Sequence, residues 1–300
     1  MPELPEVETI ARGLARRVTG DVIESVWLGQ KPEPLKSSAQ EIAAVLEHSR
    51  IAAVRRVGKH IVFDLERAEP ALLSKRKSRT QTSRKISTEA ANTSHSTQTE
   101  KTGAHWIVHL GMSGRLQVCE PQSEIVKHTH AIVKLASGRE LRFVDPRRFG
   151  RLSVAQDGFE AGGIEPLEAD LDRFLVLFRG RKTPIKSALL NQKLLRGVGN
   201  IYADESLFRA GIRPRRRASS LTRDRFAKLL AAVKEVLREA ITAGGSSISD
   251  YVDANGEEGF FQLQHRVYGR EGEPCLICKT SIKRIIIAGR SSHYCPTCQK

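Results

Sequence analysis

The first periodic stretch of the chain is residues 5–18, PEVETIARGLARRV, where Val7, Ile10, Leu14 and Val18 share one face at helical spacing. Pro5 suits a first helical turn, and Glu6 and Glu8 sit where carboxylates favour the positive end of the helix dipole. Short β-branched runs follow at Val22–Trp27, Ile51–Val57, Ile61–Leu65, Trp106–Leu110, Ala131–Leu135 and Leu141–Val144, some separated by turn residues such as Ser137-Gly138. A strand-rich domain with one leading helix is therefore expected over residues 1–155. From about residue 165 the period becomes helical, and helices are predicted over Asp170–Arg179, Pro184–Leu195, Ile201–Ala210 and Arg223–Ala243. The last opens with Thr222 as N-cap and a Leu221/Phe226 staple, and Gly244-Gly245 ends it. A helical domain is expected over 156–255 and a small separate unit over 260–300. The fold class is α+β and multidomain.

Residues 70–104 break the pattern. Thirteen of these 35 residues are Ser or Thr, and Lys75, Arg76, Lys77, Arg79, Arg84 and Lys85 add positive charge without periodic apolar positions. That composition reads as a disordered, solvent-exposed insertion between two strands.

Composition narrows the partners. With 40% hydrophobic and 28% charged residues the chain has ordinary globular usage, but 49 Lys and Arg against 34 Asp and Glu leave a net charge of +15. Such a surplus calls for a polyanion, either nucleic acid or an anionic membrane surface. No apolar run approaches the roughly 20 residues of a spanning helix, and no basic amphipathic helix supports a membrane-surface reading. Glu3, Glu6 and Glu8 stand where a signal peptide would need basic and then apolar residues. A cytoplasmic, reducing compartment is expected.

Four of the five cysteines fall in the last 26 residues, as Cys275-x2-Cys278 and, sixteen residues later, Cys295-x2-Cys298. This is the four-cysteine zinc spacing, with two knuckles joined by a hairpin whose strand is Ile285–Ile287, whose tip is Ala288-Gly289-Arg290 and whose return is His293-Tyr294. Four thiolates fill a tetrahedral site, so one structural zinc is expected. Arg266, Arg270, Lys279, Lys283, Arg284 and Arg290 make the unit basic. Cys119 stands alone and reads as an ordinary part-buried thiol.

At the other end the chain reads Met1-Pro2-Glu3-Leu4-Pro5-Glu6. Removal of Met1 would expose a secondary amine, and a free α-amino group titrates near ~8, well below lysine. Amines of this kind form imines at carbonyl and sugar carbons, and Glu3 beside it could exchange protons with the reacting group. Further along, His109-Leu110-Gly111-Met112-Ser113-Gly114 and Asp145-Pro146-Arg147-Arg148-Phe149-Gly150 place apolar side chains and arginines on glycine-flanked turns. These could be core packing or wedges between bases. Gly197-Val198-Gly199-Asn200 precedes a helix, whose start could receive a phosphate or be capped by Asn200. Lys59, in Gly58-Lys59-His60, stands at a strand entrance.

Taken in order, PELPEVET at the start, GKH at 58–60, HLGMSG at 109–114, DPRRFG at 145–150, GVGNIYADESLF at 197–208 and RVYGREGEPC before the zinc unit resemble the formamidopyrimidine-DNA glycosylase family of bacterial repair enzymes. The resemblance covers nearly the whole chain except 70–104. It implies an N-terminal β-sandwich with a leading helix, a helix–two-turns–helix domain and a zinc finger, acting as a monomer on damaged double-stranded DNA. It further implies removal of oxidised purines, 8-oxoguanine and formamidopyrimidines, with base flipping, a Schiff base and β,δ-elimination. Carried over by position, Pro2 matches the nucleophile, Glu3 the acid for the deoxyribose ring oxygen and Glu6 a supporting carboxylate. Lys59 matches the lysine assigned to β-elimination, and Arg290 the arginine assigned to δ-elimination. Met112, Arg147 and Phe149 match the void-filling trio, and His128, Arg181 and Asn200 match backbone-contacting positions.

Two other readings stand beside this one: an endonuclease VIII-like relative acting on oxidised pyrimidines, and a non-catalytic zinc-ribbon DNA-binding protein. Leu4 and the complete Met112/Arg147/Phe149 trio favour the purine enzyme, and an intact Pro2-Glu3 start argues against a pure binder. The insertion carries none of these motifs. Deleting residues 70–104 is therefore expected to leave folding and chemistry largely intact; a chain that no longer folds, judged by loss of its thermal transition, would refute this.

Overall fold

The computed structural model describes residues 1–68, 103–247, 251–254 and 256–300. Helix α1 (Leu4–Val18) leads into strands β1 (Ile23–Leu28), β2 (Ser49–Val57), β3 (His60–Arg67), β4 (Ala104–His109), β5 (Arg115–Cys119), β6 (Thr129–Leu135), β7 (Glu140–Val144) and β8 (Arg151–Ala155), with helix α2 (Ala39–Leu46) between the first two. The strands form two antiparallel sheets, ordered β1-β6-β7-β5 and β2-β3-β4-β8. Their inner faces share one core in which Phe63 and Trp106 of one sheet meet Val133 and Phe143 of the other, and α1 adds Val7, Ile10 and Leu14. The expected sandwich with a leading helix is present. Three elements lay outside the pattern reading: α2, which a Ser38/Glu41 capping box starts, and the short strands β5 and β8. The expected insertion lies, up to residue 102, outside the described residues, while Ala104 is the first residue of β4.

The helical part contains α3 (Leu171–Phe178), α4 (Ile185–Leu189), α5 (Asn200–Arg209) and α6 (Arg223–Thr242). Asp170 and Thr222 cap α3 and α6 through their side chains. Turns at 210–211 and 214–215 join α5 to α6. The helix expected over Pro184–Leu195 stops at Leu189. There Asn191 Oδ1 accepts from Lys193 N (3.0 Å), and Ile164 N donates to Leu194 O (2.9 Å), so a side-chain turn and a bridge replace further helix. A second hydrophobic core fills this part, and Leu4, the first residue of α1, belongs to it rather than to the sandwich core. The start of α1 is thus embedded where the two cores meet.

The tail forms a hairpin, β9 (Lys283–Ile287) with β10 (Arg290–Tyr294), as its sequence predicts. It docks on α5. In that helix every residue from Tyr202 to Phe208 is buried, including Asp204, Glu205 and Ser206. Polar groups so placed need partners from elsewhere. Asp204 accepts from His293 N (2.9 Å) and pairs with the fully buried Lys186 Nζ (2.7 Å), which also donates to Ser291 O (2.5 Å). Glu205 accepts three consecutive backbone N–H groups, of Arg266, Val267 and Tyr268, at 2.9–3.1 Å. Removing Asp204 alone strands the Lys186 charge. Asp204→Ala is expected to cost about 3–5 kcal/mol in denaturant unfolding, and replacing both partners, in Lys186→Met/Asp204→Leu, to cost less than that single change.

Candidate active site

Glu3 is the N-cap of α1 and is only 5% exposed. The rest of its surroundings comes from the turn before α5. Leu4 N donates to Gly197 O (3.0 Å), and Ile201 N, in the first turn of α5, donates to Glu3 Oε1 (3.3 Å). A Cβ at Gly199 would lie 2.1 Å from Glu3 Cδ, so only glycine leaves room for the carboxyl group. Gly199, not Asn200, is the N-cap of α5, and the start of that helix receives the chain's own Glu3 rather than standing open for a phosphate. Asn200 instead turns its amide to Ser291 Oγ (3.3 Å).

Glu6, one turn into α1, is equally buried, and it accepts from three segments: Glu3 N (2.8 Å), Ser246 N (2.8 Å) and the Tyr202 hydroxyl. Lys59, at the turn between β2 and β3, is 8% exposed and feels the charges of Glu3, Glu6 and Arg290. Burial pushes the Glu3 carboxyl up to about 7; the Lys59 charge pulls it back and the Glu6 charge adds to the rise. Burial also lowers the Lys59 ammonium. Glu3 Oε2 is buried with no hydrogen-bond partner among the described residues. A carboxyl group in this state carries a proton near neutrality and can deliver it. Pro2 precedes it, half-buried, and Met1 is 50% exposed. Pro2, Glu3 and Glu6 from the start of the chain are thus gathered with Lys59 and Arg290 from distant segments.

A second group lies across the sandwich. Asp145, at 0% exposure, accepts from Ser113 Oγ (2.6 Å), Gly150 N (2.7 Å) and Arg147 N (3.2 Å), binding the 109–114 and 145–150 loops together. Gly111, at φ +66°, lies so close to Phe149 and Gly150 that a Cβ would fall 2.5 Å from their backbone. The loops present Met112 (42% exposed), Arg147 and Phe149 (54% exposed), with the Arg147 guanidinium 5.0 Å from the Phe149 ring. His128, exposed and at φ +70°, joins them through its carbonyl, which accepts from Asp145 N (3.0 Å). His109 and His60, with ring centroids 5.0 Å apart, connect this group to the Lys59 turn. Arg181 stands apart, exposed beyond α3, where its Nε reaches Leu177 O (2.5 Å). Cys119 is half-buried at the end of β5.

The four tail cysteines converge. Their sulfurs lie within 4.8 Å of one another, with Cys275–Cys298 at 3.9 Å and Cys278–Cys295 at 3.4 Å. Sulfurs around a tetrahedral zinc, each about 2.3 Å from the ion, are separated by about 3.8 Å. The residues fit one structural zinc, held by four thiolates with no open position.

The comparisons agree with this arrangement along the whole chain. The family described as the formamidopyrimidine-DNA glycosylase N-terminal domain matches residues 1–152, its H2TH domain residues 163–252, and the zinc finger found in FPG and IleRS residues 272–300. The chain belongs to the formamidopyrimidine-DNA glycosylase family. Formamidopyrimidine-DNA glycosylases of Solibacter usitatus and Desulfitobacterium hafniense are 43% and 39% identical to it, with 100% of each chain covered. The MutM (Fpg) protein of Thermus thermophilus superposes with a TM-score of 0.78 at 37% identity, covering 99% of this chain and 98% of that one. A Lactococcus lactis Fpg mutant in complex with Fapy-dG-containing DNA gives 0.81 at 29%, covering 100% of both.

Pattern reading of this glycosylase missed Tyr202, Ser246 and Asp145. Only the polar run Asp204-Glu205-Ser206, set between apolar residues of α5, offered a signal that this helix must find polar partners. Gly199→Ala is expected to displace the Glu3 carboxyl and lower base release by about 10²-fold, with secondary structure retained in circular dichroism. Undiminished single-turnover base release by that variant would show that the close approach at Gly199 has no bearing on the chemistry.

Proposed function

We propose that this glycosylase removes oxidised purines from duplex DNA and then cleaves the strand, using the Pro2 amine as nucleophile and Glu3 as acid. The observation that carries the reading is the Glu3 carboxyl: desolvated, unpartnered at Oε2, raised to about 7 and directly following Pro2. Family membership and the structures of relatives held with lesion-containing DNA support it. Met1 removal frees the amine, and its 50% exposure leaves it open to an aminopeptidase.

The reaction then runs in balanced steps. The Pro2 lone pair forms a bond to C1′ while the C1′–N bond breaks, its electron pair leaving with the base. The departing base, which holds the electron pair, takes the amine proton; the nitrogen lone pair then opens the C1′–O4′ bond and O4′ takes the Glu3 proton, giving an iminium ion. Lys59, buried between Glu3 and Arg290 in charge terms and depressed by desolvation, is suited to proton transfer in β-elimination of the 3′ phosphate. Arg290 is exposed at the hairpin tip, beside this group, and suits the phosphates and the δ-elimination that follows.

A base inside the stack is out of reach of an N-terminal amine, so the nucleotide must turn out and its place must be filled. Met112 and Phe149, apolar yet exposed beside Arg147, suit that role. His128, Arg181 and Asn200 suit backbone contacts, and the +15 charge supplies salt-sensitive affinity. The enzyme is read as monomeric and cytoplasmic; no described helix is long and apolar enough to cross a membrane.

A second substrate class belongs in the test, because one Lactococcus lactis Fpg structure holds an oxidised pyrimidine-containing DNA. The experiment is borohydride trapping on duplexes carrying 8-oxoguanine opposite cytosine or an oxidised pyrimidine, comparing the wild type with Pro2→Gly. A covalent complex on the purine duplex that the variant largely loses is the expected result. Trapping on the pyrimidine duplex alone would select the endonuclease VIII-like reading. No trapping on either, with mass spectrometry showing Met1 removed, would select the non-catalytic binder.

A further inference from the structure

Glu3 and Glu6 are two buried carboxyl groups in one site, and the hydrogen bonds around them are unequal. Glu6 meets donors on both oxygens: Tyr202 O–H and Ser246 N–H at Oε1, and Glu3 N–H at Oε2. Burial raises the Glu6 carboxyl, and these donors favour its ionised form against that rise. Glu3 is served by backbone N–H groups alone, those of Ile201 and Tyr202 and that of Glu6 in the capping box, and its Oε2 has no partner among the described residues. The proton of the pair therefore belongs to Glu3, which is where the proposed acid needs it.

Of the three donors to Glu6, two are backbone N–H groups that any side chain would leave in place. The third is the Tyr202 hydroxyl. We infer that Tyr202 is a positioning residue whose hydroxyl holds Glu6 ionised and so keeps the shared proton on Glu3. Tyr202 is at 0% exposure, on the face of α5 turned to α1. Burial and the two carboxylates raise its phenol well above the usual range, so it stays a donor at every pH the enzyme meets. The other charged or titratable groups that face the pair are Lys59 from the β2–β3 turn, Lys186 from α4, Arg290 and Tyr268 from the tail unit, and Tyr251 beyond α6. Lys59 lowers Glu3, and among the described residues none of these groups donates to a Glu6 carboxyl oxygen; the Tyr251 hydroxyl goes to the Glu6 backbone carbonyl (3.5 Å) and to Gly244 O (2.9 Å). They cannot create the difference between the two.

This inference deepens the reading of Glu3 as the acid, and the test separates the two. The protein is labelled with carbon-13 at the glutamate carboxyl groups, and Glu3 and Glu6 are assigned with Glu3→Gln and Glu6→Gln. Their titrations are followed by NMR in the wild type and in Tyr202→Phe, alongside the pH dependence of single-turnover release of 8-oxoguanine. In the wild type, Glu3 is expected to titrate near 7 and Glu6 at a lower pH than Glu3. Losing the hydroxyl lets Glu6 take up proton and repel Glu3 less, so the Glu3 midpoint should fall by about half a pH unit or more. The alkaline limb of base release should move down with it, because the active acid form is lost at a lower pH.

In a Glu6→Gln background the same substitution should add no further shift, since the charge it acts through is gone. An unmoved Glu3 midpoint in Tyr202→Phe, or an equal shift in the Glu6→Gln background, overturns the inference. A midpoint that moves while the rate profile stays in place supports the inference and removes Glu3 from the role of acid.

Discussion

Glu6 accepts hydrogen bonds from the start of α1, from α5 and from the segment after α6, and this shared acceptor joins the two halves of the molecule at the one point where the chemistry is proposed to occur. Two carboxyl groups withdrawn from water cost several kcal/mol each unless donors replace the solvent. The surrounding fold supplies those donors unequally. Gly199 gives space without a contact, backbone N–H groups alone serve Glu3 and leave its Oε2 bare among the described residues, and Glu6 receives donors on both oxygens, one of them a hydroxyl. Desolvation then acts on both groups, but only the one with the poorer set of donors is left holding the proton. A strong acid site would need no such burial, and a carboxyl of ordinary pKa would be ionised and useless as a donor near neutrality.

The tail unit serves the same point from the other side. Zinc-bound thiolates close the hairpin, but they do not aim it. The aiming falls to α5, whose Asp204 and Glu205 take backbone N–H groups of the hairpin and of the segment before it, while Lys186 reaches Ser291 O beside Arg290. The helix that encloses Glu3 therefore also fixes Arg290. Small displacements of α5 would disturb both the Glu3 carboxyl and Arg290. That coupling explains why a ten-residue helix buries three polar side chains that an ordinary core helix would lack.

Much of this was legible in the sequence and some was not, for physical reasons. Val7, Ile10, Leu14 and Val18 recur at helical spacing because one long face of α1 lies on the sandwich, so period alone revealed the helix. The four cysteines were legible because metal geometry constrains their spacing. Pro2, Glu3 and Lys59 had no local pattern of their own and depended on the ordered set of motifs. Tyr202 and Ser246 were invisible for a different reason: their contacts with Glu6 span 196 and 240 residues, and nothing local distinguishes them from packing residues. The over-long helix at 184–195 failed because Asn191 makes a side-chain turn where hydrophobic spacing still suggested helix.

The site divides its work between burial and exposure. The proposed acid is produced by taking carboxyl groups out of water, whereas Met112 and Phe149 are apolar side chains left in water on loops that Asp145 holds in shape. Each arrangement is unfavourable alone. The first is offset within the protein by the donors to Glu6. For the second, the free chain offers the Arg147 guanidinium over the Phe149 ring, and burial against stacked bases would add to it. The apolar loops thus gain most when a nucleotide has left the stack, the state in which its C1′ can reach Pro2. His60 and His109 pack between the two groups, so the surface that gains from the extruded state is rigidly joined to the turn carrying Lys59. Binding energy at one end can in this way select the geometry that the chemistry at the other end requires.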